Sequence, residues 1–205
     1  MKNNSLSFDS LYTIKKKDIK KACTVLTRAF FEDPLFKYLF PNIKKRKKMY
    51  YMFYVSLNYV MNYGIILAPS KKIEGVMVLT PPEKEKHNIF ALLKSKGFII
   101  PFIMNWRKPM KMQKFIDEIH KRAIDSPHWY LNSIAVDPSH QNKGFASKLL
   151  RPVLDFFDSQ KEICYLETEN EENISLYEHF GFEVAISEKI SNSNVQVWGM
   201  IRKPR

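Results

Sequence analysis

The run from Trp129 to Val136, followed by DPSHQNKG and then by an amphipathic stretch, limits what this chain can fold into more than any other feature. The first segment reads as a strand that ends at Asp137-Pro138. The last predicts a helix over 142–157, with Phe145, Ala146, Leu149, Leu150, Val153, Leu154 and Phe157 recurring on one side. Pro152 lies inside that pattern and predicts a kink or an early end, because proline removes a helix hydrogen bond. A strand that passes through a glycine-containing turn into a helix is a general anion site. The first helical turn has N–H groups without internal partners, and the helix dipole adds positive character there. Gly144 lets backbone approach a phosphate, Ala146 keeps the next position small, and Lys143 and Lys148 add charge. Neither GxxxxGK[ST] nor GxGxxG is present, so this is neither a Walker loop nor a dinucleotide fingerprint.

The remaining segments supply a mixed sheet. Leu11–Ile14 reads as a first strand, and Asp18 as the cap of a helix running to about Phe31. A short helix before Pro41 follows, then a long one over roughly 43–62 that is rich in Met and Tyr. Strands near 64–68 and 73–79 flank the turn PSKK. Helices are expected at Ile89–Lys96, Ile99–Trp106 and Pro109–Ile124. After the quoted stretch come a strand at Ile163–Thr168, a helix at Ile174–Phe180 stopped by Gly181, and a closing pair at Phe182–Glu188 and Val195–Arg202. The expected fold class is α/β (α+β): a mixed, mostly antiparallel sheet of about seven strands flanked by helices, with extra helices inserted at about 83–126.

Composition narrows the function classes. At 205 residues and 45% hydrophobic content, one domain with one well-buried core is expected. Cys23 and Cys164 sit in apolar surroundings and read as buried thiols of a reducing compartment. No Cys/His spacing suggests a metal. The stretch MKNNSLSFDSLY lacks the apolar run of a signal peptide, and no run approaches a membrane span, so a cytoplasmic protein without a membrane partner is expected. The net charge of +12 lies largely in runs at 15–21, 44–48 and 107–114. These carry no nucleic-acid-binding signature and read as solvated faces.

Two motifs carry a resemblance. VDPSHQNKGFASKLL resembles the V-x-P-x-x-[RQ]-x-x-G-x-[GA] signature of the GNAT (GCN5-related) N-acetyltransferase superfamily, and NISLYEHFGFEV resembles its later motif, an asparagine followed by Y-x-x-x-GF. HWYLNSIAVDP, LETENEENISLYEHFGFEV and VWGMIRKP are similar to puromycin N-acetyltransferase-like members. The resemblance implies the GNAT fold and acetyl-CoA as acetyl donor, with no metal. It implies that Gln141, Asn142, Lys143, Gly144, Phe145, Ala146 and Ser147 hold the pyrophosphate. Ile134, Ala135 and Val136 would pair with the pantetheine arm, Ile134 also polarising the thioester carbonyl. Asn173 would bind the arm, and Tyr177, one helical turn on, would act as general acid. By the same resemblance 1–126 forms an acceptor-side half with the helical insertion, and 127–205 an acetyl-CoA-binding half. The ring of Phe145 is expected to turn into the core.

The chemistry needs a base for the acceptor amine. Glu167, on the strand beside the cofactor strand, is the first candidate; Glu32 and Asp33 are next, and His128 flanks the site. Phe30, Phe36, the 49–63 helix and Trp106 are expected to wall the acceptor pocket, although a Met and aromatic stripe more often forms core. The expected acceptor is a small-molecule primary amine, attacked directly in a ternary complex, and a homodimer is compatible with a chain of this kind. A protein or peptide amine is the alternative acceptor. A non-catalytic CoA-binding regulatory protein is the alternative from another class, and the pairing of Asn173 with Tyr177 argues against it.

Overall fold

The computed structural model describes residues 8–82, 107–191 and 193–205. Its strands are β1 (Tyr12–Thr13), β2 (Ile65–Ala68), β3 (Gly75–Thr80), β4 (Trp129–Val136), β5 (Cys164–Thr168), β6 (Glu183–Lys189) and β7 (Gln196–Arg202). The helices are α1 (Ile19–Ala29), α2 (Pro34–Leu39), α3 (Ile43–Arg46), α4 (Met49–Val60), α5 (Arg107–Ala123), α6 (Phe145–Gln160) and α7 (Glu172–His179). The strands form one seven-stranded sheet in the order β1-β2-β3-β4-β5-β7-β6. Every neighbouring pair is antiparallel except β4 and β5. The mixed, mostly antiparallel sheet expected from the sequence is therefore the observed one. The expected helices at 89–96 and 99–106, with Trp106, lie outside the described residues.

Strand alternation divides the core between the two faces. Ile66, Ala68, Val76 and Val78 point to the face covered by α1, α4 and α5. Leu67, Met77 and Leu79 point to the opposite face, under Leu149, Leu150, Val153, Leu154 and Phe157 of α6. The Met and aromatic stripe of α4 is core, with Met49, Phe53 and Leu57 buried.

Several local expectations shift. Asp18 makes no side-chain cap to α1; its carboxylate accepts from the Lys15 N–H at 3.0 Å and the Tyr12 hydroxyl at 2.7 Å. The long helix expected at 43–62 is two helices, α3 and α4, separated at Lys47 and Lys48. Arg46 ends α3 as a buried group whose guanidinium donates to the Phe40 and Phe31 carbonyls and to Glu32. α6 begins at Phe145, later than expected, and runs unbroken through Pro152 to Gln160. The carbonyl that Pro152 leaves without a donor belongs to Lys148, an exposed residue, so water can replace the lost partner.

Candidate active site

The site begins where the sheet stops being continuous. β5 pairs with β4 only at Trp129↔Cys164 and Tyr130↔Tyr165. Beyond Tyr130 the two strands no longer bridge. On its other side β4 shifts register against β3 between Val78, which pairs with Ser133, and Leu79, which pairs with Leu131. Asn132 is thus the extra residue of a bulge, and the Thr80 hydroxyl donates to its Oδ1 at 2.7 Å. A bulge bends its strand and strengthens local twist, which favours divergence here.

A cavity of about 180 Å³ occupies the gap. β4 contributes Tyr130 to Ile134, the end of β5 contributes Glu167 and Thr168, and Glu169 follows directly after it. α7 contributes Asn173 and Tyr177, and α5 Met112, Gln113 and Ile116. The α1–α2 turn adds Phe30 and Asp33, and α2 adds Leu35 and Phe36. Of the residues singled out in the sequence, Ile134, Glu167, Asn173 and Tyr177 therefore meet around one cavity. Phe30 and Phe36 also line it, their rings 5.4 Å apart. No residue of α4 lines it.

The end of β5 and the start of α7 are tied by the Asn173 amide, which donates to the Thr168 hydroxyl at 3.4 Å. Tyr177 is buried, and its ring packs edge-on against Phe182 at 5.8 Å. Burial pushes its phenol above the ordinary value, and the Glu169 and Asp33 carboxylates push the same way. Glu169 is half-buried; desolvation first, then Asp33 and Glu167, raise its carboxyl to about 8. Asp33 is raised by burial, against the opposing N–H groups of Phe36 and Leu35 that it caps. Glu167 has a side chain 4% exposed and faces His120, its Oε1 3.8 Å from the imidazole Nδ1. The neighbouring phenols of Tyr130 and Tyr165 are raised by burial and then by its charge. Glu32 stands apart: its carboxylate pairs with Lys37 at 2.9 Å and Arg46 at 3.2 Å, and it is largely exposed.

Glu169 is a site residue that the sequence reading passed over. One signal pointed to it. Residues two apart on a strand share a face, so an acid two positions after Glu167 should aim into the same space. The contribution of His120 had no such local mark.

The turn after β4 lies outside this cavity, and so do Ala135 and Val136. Asp137 builds it. Its N–H donates to the Glu74 carbonyl at 2.9 Å. Its Oδ1 accepts from the Ser139 N–H at 3.0 Å and hydroxyl at 2.6 Å, and Arg28 approaches at 3.3 Å. Gln141 reaches back to the Val136 carbonyl at 3.3 Å, and the Lys143 ammonium donates to the Ser139 carbonyl at 2.8 Å. Asn142 and Gly144 are left-handed, with φ of 60° and 77°. Gly144 caps α6 without a side chain, and a Cβ placed on it would meet nothing within 4 Å. The N–H groups of the first turn, from Phe145 to Ser147, thus stand at the edge of open space. This fits a bulky anion lying against backbone. Phe145 departs from expectation: its ring is half-buried and packs edge-on against His140 at 5.7 Å, not in the core.

Among the described residues no group of three or more His, Cys, Asp or Glu could hold a metal ion, and no helix is long and apolar enough to cross a membrane.

Residues 97–182 match the profile of the acetyltransferase (GNAT) family. An uncharacterised N-acetyltransferase of Schizosaccharomyces pombe is 28% identical over 206 residues, covering 93% of this chain and 82% of the relative. Among solved structures, a histone acetyltransferase HPA2 and related acetyltransferase from Corynebacterium glutamicum superposes with a TM-score of 0.64 at 19% identity, covering 96% of each chain. Arylalkylamine N-acetyltransferase 2 from Aedes aegypti gives 0.58 at 13% identity, covering 95% of this chain and 98% of its own. The splayed strand pair and the glycine-capped helix behind it agree with these likenesses: residues 97–182 match the acetyltransferase (GNAT) family, and along its length the chain resembles N-acetyltransferases in sequence and fold.

Proposed function

We propose that this enzyme transfers an acetyl group from acetyl-CoA to the primary amine of a small molecule, by direct attack within a ternary complex. The observation that carries the reading is the cavity between β4 and β5, where Tyr177, Glu167, Glu169 and Asp33 meet beside aromatic walls. When bound, acetyl-CoA supplies the activated acetyl thioester. The Gln141–Ser147 backbone at the mouth of α6 holds its pyrophosphate. Ile134, Ala135 and Val136 hold the pantetheine arm along the unpaired edge of β4, and Asn173 holds it from α7.

Asp33, Glu167 and Glu169 draw in an ammonium group, because a cation offsets the burial, and the lesser repulsion from Asp33 and Glu167, that together raise the Glu169 carboxyl. Glu167 takes the amine proton. A neutral amine then attacks, and an N–H of β4 at Ile134 stabilises the charge that develops on the carbonyl oxygen. Tyr177, kept protonated by burial, gives its proton to the departing sulfur. Phe30, Phe36, Met112 and Ile116 give the acceptor's body an apolar seat, which favours an amine on a hydrophobic or aromatic frame.

On this reading 1–205 acts as one domain, with 1–126 serving the acceptor and 127–205 the donor. The two free, buried cysteines, their thiols pushed up to about 12 by burial, fit a reducing cytoplasm. Release of CoA thiol from acetyl-CoA over a panel of arylalkylamines, polyamines, aminonucleosides and peptides tests the function. Turnover confined to peptides with free N-termini or lysines would replace the small-molecule reading. No turnover with any amine would remove it.

A further inference from the structure

α5 and β4 bring two histidines together behind Glu167. The Nδ1 of His128 lies 2.6 Å from the Ser126 carbonyl oxygen. A carbonyl only accepts, so this nitrogen carries the proton. The other nitrogen of His128, Nε2, lies 2.6 Å from Nε2 of His120. The opposite side of the His120 ring, Nδ1, faces Glu167 Oε1 at 3.8 Å. The His120 ring is fixed by stacking on Tyr165, with centroids 4.1 Å apart and planes 19° apart, and by Tyr130 at 4.8 Å. All three groups are sheltered: the side chains of His120 and Glu167 are 12% and 4% exposed, and His128 is 8% exposed.

With the Nδ1 proton of His128 fixed, the pair has two self-consistent arrangements. In the first both rings are neutral. His120 carries its proton on Nε2 and donates it to Nε2 of His128. In the second His128 carries protons on both nitrogens and donates from Nε2. His120 is again neutral, but its proton is now on Nδ1, towards Glu167. The two arrangements differ by one proton entering at Nδ1 of His120 and one charge emerging on His128. Neither ring has to rotate.

We propose, resting on the acetyl-transfer reading above, that His120 and His128 are the outlet for the proton that the acceptor amine gives to Glu167. The O–H bond at Glu167 breaks as an N–H bond forms at His120 Nδ1, directly after a small side-chain movement or through one water. The His120 Nε2–H bond breaks as the His128 Nε2–H bond forms. His128 is left as an imidazolium beside the exposed residues Asp125, Ser126 and Pro127, where solvent removes the extra proton.

Burial, with the charge of His128 adding to it, pushes His120 down to about 4, so this ring passes a proton on and does not keep it. The titratable groups facing the pair are Glu167 and Tyr165 from β5 and Tyr130 from β4. From β6, Glu188 is held by Arg122 of α5. The two histidines act through Glu167 and are positioning residues, not groups that touch the acceptor.

The test uses the full chain with His128→Gln, whose amide can accept from His120 but cannot become a cation. With the best amine of the panel, kcat should fall about tenfold near neutral pH, a fraction of the usual worth of base catalysis. KM for acetyl-CoA should not move, the acid limb of the pH–rate profile should shift, and added imidazole buffer should restore most of the loss. An unchanged rate and profile would overturn the outlet, and so would an equal loss at every pH that added base does not repair. Nitrogen-15 spectra of the imidazoles in the wild type decide the geometry without turnover. At alkaline pH His128 should be the Nδ1–H tautomer and His120 the Nε2–H tautomer; any other pairing rejects the relay while acetyl transfer stands. If the wild type acetylates no amine, the transferase reading falls and the outlet falls with it.

Discussion

Tyr177 packs its ring edge-on against Phe182 at 5.8 Å while lining the cavity that it shares with Glu169 and Asp33. The ring is held in the core, and in the proposed mechanism the phenol serves the cavity. Tyr177→Phe keeps the first and removes the second. It should fold with unchanged thermal stability, bind acetyl-CoA as the wild type does, and lose about 10²-fold in kcat, the lower end of general-acid effects. Because the phenol is raised above its ordinary value, the wild-type rate should not fall on the alkaline side up to about pH 9. Steady-state kinetics across pH check both points. A kcat within about twofold of wild type would make Tyr177 packing alone.

Gly144→Glu should abolish CoA binding in a folded protein. A Cβ there meets nothing within 4 Å, so a side chain can start from this position without a clash, and its carboxylate should compete for the proposed anion site. The φ of 77° adds a strain of about 1–2 kcal/mol for a residue with a side chain. Gly144→Asn tolerates the left-handed region better and carries no charge, so it serves as the control. Calorimetric titration with CoA distinguishes the two; full affinity in folded Gly144→Glu would move the donor site elsewhere.

Glu169 should make stability fall with rising pH. A carboxyl whose folded-state pKa stands above the unfolded value contributes stability that is complete below the unfolded value and lost as pH rises through the folded one. Its window runs from about 4.5 to about 8. Between pH 5 and 8.5 the wild type should lose roughly 2–4 kcal/mol relative to Glu169→Gln, after discounting for partial exposure. Urea unfolding at the two pH values measures this. An equal difference at both would mean that the carboxyl titrates as an ordinary one.

Arg202→Lys should weaken the fold and leave the donor site alone. Arg202 is buried. It donates to both oxygens of Asp158 at 2.8 and 2.7 Å and to the Phe180 carbonyl at 2.9 Å. Lysine cannot reproduce that fork, and leaving part of it unmade should cost about 2–3 kcal/mol. The urea midpoint should drop while CoA affinity stays constant.

What could be read from the sequence was what local spacing encodes. The strand-like runs of β3 and β4, the helical face of α6 and the four-residue step from Asn173 to Tyr177 needed no partner elsewhere in the chain. What escaped depended on distant neighbours. Glu169 owes its raised carboxyl partly to Asp33, which enters from the α1–α2 turn. His120 acquires its place only because α5 brings its ring against Tyr130 of β4 and Tyr165 of β5. The helix expected over 43–62 breaks after α3 because Arg46 is drawn to the Phe31 and Phe40 carbonyls, a tertiary demand that periodicity does not register. Pro152 misled in the other direction: an exposed carbonyl tolerates the missing donor.

The two bridges between β4 and β5 also divide the sheet into contiguous blocks of chain. Residues before the seam build β1 to β4, and residues after it build β5 to β7. Each block is contiguous in sequence, and the seam joins the two through two residue pairs. Amide exchange should register this as weaker protection in β4 from Leu131 onward than in β3, whose strand is paired on both sides. A ligand lodged in the seam would act as a clasp between the blocks. The melting temperature should therefore rise with the logarithm of acetyl-CoA concentration once that exceeds Kd, and the half of β4 that has no bridge to β5 should gain the most protection.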